Sequence, residues 1–126
     1  MLKAVDRLSY VIILCHDLPR MKELYRGLFA FEVDSESETG LTFRAGGTLF
    51  SLRQRTRAYD GRGVRPDLPG VQVAFLVEPT EVDRCHALLV ERGVEILDPP
   101  ADQPRGHRTV YFADPEGNML EIYAEI

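Results

Sequence analysis

Apolar residues along this chain switch between two periods, and the switch occurs twice in the same order. Arg7 to Leu14 (RLSYVIIL) is dense in β-branched and apolar residues, which predicts a strand. Leu18, Met21, Leu24, Tyr25 and Leu28 then recur at helical spacing. Asp17 is a good N-cap and Pro19 is tolerated in a first turn, so a helix is expected from about Leu18 to Gly27. Phe31 to Ser35, Leu41 to Ala45 and Thr48 to Arg53 return to short extended runs, and Gly46-Gly47 signals a tight hairpin between the last two. After a stretch with no apolar period, the order repeats. Val71 to Val77 predicts a strand. Thr80 is expected to cap a second helix, with Asp83 as a capping-box variant and Val82, Cys85, His86, Leu89 and Val90 as its inner stripe. Gly93 is placed to end it. Val94 to Leu97, Thr109 to Ala113 and Met119 to Ala124 are three more strands.

The fold class is therefore α+β, with two βαβββ modules in a single domain spanning 1–126. Module one runs from about 4 to 54, a linker from about 55 to 70, and module two from about 71 to 126. A small sheet with one helix on a single face must bury its other face. Pairing two such sheets, within a chain or between chains, gives half-open mixed-sheet barrels whose concave interior is a natural ligand site.

Composition narrows the function. A net charge of −5 argues against nucleic acid as the main partner. No apolar run approaches the roughly 18 residues of a transmembrane helix, so no membrane partner is expected. Met1 to Arg7 lacks a signal peptide's apolar stretch. Cys15 and Cys85 both sit in apolar segments, which suits reduced thiols in a cytoplasmic protein. Charge is unevenly spread: Arg53, Arg55, Arg57, Arg62 and Arg65 crowd one stretch, where they would favour an anionic ligand if they fold over a site. Glu32, Asp34, Glu36 and Glu38 alternate, which expects all four on one solvated strand face. Gly-x-Ser-x-Gly, a glycine-rich phosphate loop and His-Glu-x-x-His are all missing. Cys15 and His16 are strand neighbours that point to opposite faces, so they form no nucleophile–base pair.

The most specific string is Tyr111-Phe112-Ala113-Asp114-Pro115-Glu116-Gly117-Asn118-Met119-Leu120-Glu121-Ile122. Asp114, Pro115 and Gly117 take favoured places in a type I turn joining two strands. The string resembles the DPxGNxxE signature of the vicinal oxygen chelate group, to which glyoxalase I and the bleomycin-resistance proteins belong. Asp17 to Phe31 resembles the group's first helix and Glu91 to Val94 the end of its second; Ala30 departs from the usual glycine. The resemblance implies the half-open barrel fold and, in the group's enzymes, one divalent metal such as Zn, Ni, Mn or Fe(II). Its ligands are His or Glu at four places, which fall here on Tyr10, Ser51, Gln72 and Glu121. Only Glu121 is a proper ligand. The departure points to the metal-free branch, with no cofactor and a small molecule bound in a resistance or sequestering role. The alternative is a metal-dependent lyase, isomerase or dioxygenase.

Tyr10, Ser51, Gln72 and Glu121 are then expected to contact the ligand, with His107 and Arg108 at the rim and Phe50, Tyr111 and Tyr123 as candidate aromatic walls. Glu121 is either a general base, a role that burial among apolar walls favours, or a carboxylate held by Tyr10 or Gln72. Relatives of this kind are often symmetric, so a homodimer is expected.

Overall fold

The computed structural model describes residues 1–61 and 70–126. It divides into two compact units, Met1–Gly63 and Val64–Ile126. The boundary and the positions of Arg62 and Arg65 lie outside the described residues.

The first unit contains β1 (Tyr10–Cys15), α1 (Leu18–Leu28), β2 (Glu32–Ser37), β3 (Gly40–Ala45) and β4 (Thr48–Gln54), followed by a 3-10 turn at Ala58–Asp60. Its sheet runs β1-β4-β3-β2, with β1 parallel to β4 and the other pairs antiparallel. The Asp17 side chain accepts from the Arg20 backbone N–H, as an N-cap should. The helix buries Leu18, Met21 and Tyr25. Strand parity brings Ile13, Cys15, Leu41, Phe43, Phe50 and Leu52 to meet them, all buried. An aromatic chain fills this core: Tyr25 lies 5.5 Å from Phe50 and 5.9 Å from Phe29, and Phe31 lies 5.5 Å from Phe29 and 6.3 Å from Phe43. Phe50 is thus a core residue under α1, not a wall of the open face. It pairs with Phe43, one register step from Ser51 and Thr42.

The acidic row of β2 does not share one face. The β2–β3 register shifts between Val33 and Ser35. This bulge leaves Glu32 and Asp34 beside Arg44, at 3.6 and 3.0 Å, while Glu36 turns to Lys22 and Arg26 of α1, at 3.0 and 2.7 Å.

The second unit contains β5 (Gln72–Leu76), a 3-10 turn at Pro79–Glu81, α2 (Val82–Glu91), β6 (Ile96–Gln103), β7 (His107–Ala113) and β8 (Met119–Glu125). Its sheet repeats the plan as β5-β8-β7-β6, with β5 parallel to β8. Val82 and Leu89 of α2 pack toward Val110, Phe112, Leu120, Ile122 and Ala124. Three expectations fail at α2. The 3-10 turn takes up Thr80, the N-cap is Glu81 with no side-chain bond, and Val90 is exposed. Asp83 bonds Arg108 of β7 instead of capping the helix. Both cysteines are free; Cys15 is buried, whereas Cys85 is half-buried with its thiol pushed up by burial and by Glu81.

The Asp114 turn is densely hydrogen-bonded. The Asp114 carboxylate accepts from the backbone N–H of Glu116 (2.9 Å) and of Asn118 (3.0 Å), and from the Asn118 side-chain amide (2.8 Å). Gly117 closes the turn by donating to the Asp114 carbonyl at 3.0 Å, at a φ of 82° that favours glycine. The turn fixes where β8 begins, and so where Glu121 lies.

Candidate functional site on the open sheet faces

In each unit the helix covers one sheet face, and parity assigns the other. On the first sheet that face carries Tyr10 and Ile12 of β1, Thr42 of β3, and Ser51 of β4. Tyr10 and Ile12 are 42% and 48% exposed, so this face is not filled by its own unit's core. A chain of hydroxyls crosses it. The Tyr10 hydroxyl lies 3.1 Å from Thr42 Oγ1, Thr42 Oγ1 lies 2.9 Å from Ser51 Oγ, and Ser51 donates to the Leu41 carbonyl at 3.3 Å. A carbonyl only accepts. Once Ser51 donates to it, Thr42 must donate to Ser51 and Tyr10 to Thr42. The Tyr10 oxygen then presents lone pairs outward. Thr42 is the member that sequence reasoning missed; its alignment with Ser51 is set by hairpin register, which a two-residue loop between Ala45 and Thr48 fixes.

Among the described residues, Arg53, Arg55 and Arg57 do not gather as a free cationic cluster. Arg53 grips Asp60 through two bonds of 3.0 and 2.8 Å, Arg55 donates to the Asp60 carbonyl, and the Arg57 guanidinium lies 5.9 Å from the Tyr59 ring centre. The backbone N–H groups of Thr56 and Arg57 also reach the Asp60 carboxylate, at 3.0 and 2.9 Å. Arg53 first, and the Arg57 N–H next, hold the Asp60 carboxyl far below the usual carboxylate range, against the opposing effect of burial.

On the second sheet the open face carries Gln72 of β5, Glu121 and Tyr123 of β8, and His107, Thr109 and Tyr111 of β7. Glu121 is only 6% exposed. Gln72 Nε2 donates to its Oε2 at 2.9 Å, which is the amide partnership the sequence suggested. Its Oε1 faces the Arg105 guanidinium at 3.9 Å, and Arg105 donates to the Tyr111 hydroxyl at 2.9 Å. The His107 ring lies 4.8 Å from that of Tyr123. The rim place expected for Arg108 is not where that side chain goes. One residue on from His107, it falls on the α2 side, bonding Asp83 at 2.9 Å and Asp102 at 2.8 Å. Arg105, unremarked in the sequence because it lies in a turn with no period, takes the place on the open face.

These residues do not fit a transition metal. Among the described residues no three His, Cys, Asp or Glu side chains come together to hold an ion. In the second unit the carboxylate that could ligate has one oxygen occupied by an amide N–H and the other beside a cation.

Residues 7–122 match the family model of the Glyoxalase/Bleomycin resistance protein/Dioxygenase superfamily. The chain belongs to that superfamily. A metallothiol transferase FosB of Staphylococcus haemolyticus is 23% identical over 125 residues, covering 98% of this chain and 84% of the relative. A solved glyoxalase/bleomycin resistance protein/dioxygenase from Nocardioides is 27% identical with a TM-score of 0.73, covering 97% of this chain and 86% of its own. The fosfomycin resistance protein FosX of Mesorhizobium loti shares the fold at a TM-score of 0.71 and 22% identity, covering 97% and 94%. No helix among the described residues is long and apolar enough to cross a membrane.

Proposed function

We propose that this superfamily member binds a small organic molecule without a metal, in a resistance or sequestering role. The observation that carries this reading is the state of Glu121. The one metal-ligand place that holds a carboxylate is bonded to Gln72 and faced by Arg105. A guanidinium supplies the positive charge that an ion would bring, and the amide uses a lone pair that the ion would need. Tyr10, Ser51, Gln72, Glu121 and His107 serve as polar ligand contacts, while Arg108 acts as a strut between β7, β6 and α2. The protein works in the cytoplasm as a homodimer. The resistance role draws its support from the superfamily's bleomycin resistance proteins and from the likeness to the fosfomycin resistance protein FosX.

A metal-dependent enzyme is the competing reading, favoured by the likeness to a metallothiol transferase at 23% identity. In that reading Glu121 is a ligand or a general base. Metal stoichiometry separates the two. The untagged protein, dialysed in turn against Zn, Ni, Mn and Fe(II), is expected to retain far less than one ion per chain. A full ion per chain that disappears in Glu121→Ala would replace the binding reading with the enzymatic one.

A further inference from the structure

We propose that Arg105 and Tyr111 form an anion clamp on the open face of the second sheet, and that the ligand is a planar aromatic carboxylate. This deepens the metal-free binding reading and rests on it.

The argument is one of hydrogen-bond direction. Arg105 Nη2 donates to the Tyr111 hydroxyl oxygen at 2.9 Å. That oxygen accepts, so the phenolic proton is left to donate to something else. Arg105 is 52% exposed at its side chain, and its other contact is the 3.9 Å approach to Glu121. A half-exposed pair at that distance is too weak to satisfy the guanidinium, most of whose N–H donors stay available. The two side chains therefore present N–H and O–H donors side by side. A carboxylate, which accepts at two oxygens and donates at neither, matches that arrangement; an ammonium or an amide N–H does not.

The turn that carries Arg105 is held in place. Gly106, at a φ of 89°, donates to the Gln103 carbonyl at 3.0 Å and accepts from the Ile126 backbone N–H at 2.9 Å. The clamp is thus anchored to β6 and to the residue that follows β8. Beside it on the same face, the His107 and Tyr123 rings, 4.8 Å apart and tilted by 35°, offer aromatic surface to a ring. Three carboxylates share the face. Glu121 is engaged by Gln72, Glu125 stands opposite His107 and is exposed to water, and Asp98, opposite Tyr111, is exposed on the edge strand. Glu121 opposes Tyr111 and Glu125 opposes His107, while the residue between the clamp and the ring pair along β7 on this face is the neutral Thr109, opposite Tyr123.

The test is a titration of the full-length, metal-free, isotope-labelled chain with benzoate, and with neutral benzamide, followed by amide chemical shifts. Benzoate is expected to shift residues of β7, β8 and the Arg105 turn, and to bind at least about tenfold more tightly than benzamide. Arg105→Gln should weaken benzoate by about tenfold and leave benzamide unchanged, and Tyr111→Phe should weaken it by about threefold. Both substitutions replace side chains at the surface or half-buried, and unchanged spectra elsewhere confirm folding. Equal binding of the two probes, an unaffected Arg105→Gln, or no benzoate binding at millimolar concentration overturns the clamp while leaving metal-free binding of another ligand standing. Benzoate binding that appears only after metal is added overturns the clamp and the metal-free reading together.

Discussion

The two units share one plan and differ in what they place on each face. Under its helix, the first unit packs Tyr25, Phe29, Phe31, Phe43 and Phe50 into an aromatic chain. The second packs mainly aliphatic residues around Phe112, and its helix contributes only Val82 and Leu89 as fully buried residues. On the open faces the contrast is sharper. The first carries a neutral relay of hydroxyls, Tyr10, Thr42 and Ser51. The second carries charge, with Glu121 bonded by Gln72 and Arg105 bonded to Tyr111. The turns differ as well: two glycines join β3 to β4, whereas the Asp114 carboxylate organises the turn from β7 to β8. The helix-side faces must satisfy packing, so both units keep the same apolar parity. The open faces are free of that constraint and have diverged in chemistry.

This contrast can be broken most strongly in the cores. Phe43→Ala is expected to cost about 3–5 kcal/mol, because it removes a fully buried ring from the aromatic chain. Leu89→Ala should cost nearer 2–3 kcal/mol, about the low end for a buried leucine, since its helix has fewer buried neighbours to leave a cavity among. Urea unfolding followed by far-ultraviolet circular dichroism measures both, and equal losses would erase the distinction between the cores.

Asp114→Ala comes next. It removes an acceptor of three bonds in a buried turn, with an expected loss of about 2–3 kcal/mol. Hydrogen exchange should show β7 and β8 opening sooner while β3 and β4 keep their protection. Uniform deprotection of both sheets would mean that the turn is not a local device.

The smallest effect is expected at Asp60, and it fades in acid. Its folded carboxyl titrates below the unfolded value of about 3.9. The stabilisation from Arg53 is therefore complete above that value and is lost as pH falls through the lower folded one. Asp60→Asn should flatten the acid limb of the stability curve for the first unit and leave the second unit's limb unchanged. An acid limb that keeps its slope would show that the Arg53 grip contributes nothing measurable.

Much of this molecule is written in local pattern. The apolar spacing of Leu18, Met21 and Tyr25 specifies α1 because only one helical stripe can face a sheet. The Asp114-Pro115-Glu116-Gly117 turn is legible because each residue suits its backbone position, and the string it anchors marks the superfamily. Gln72 beside Glu121 was also within reach, since both lie on the open face of paired strands. What local pattern missed has a common cause. A bulge at Asp34 reverses strand parity and divides the acidic row; a 3-10 turn absorbs Thr80; the one-residue step from His107 to Arg108 changes the face. Phe50 joins the core, and Thr42 joins the hydroxyl relay, through a register decided across strands. The sequence by itself determined the elements, their order and the family, because these follow from periods and turns within a few residues. Only the tertiary structure decided that Glu121 faces Arg105 and that Arg53 faces Asp60, because a charge finds its partner through space, across strands and turns that no sequence period connects.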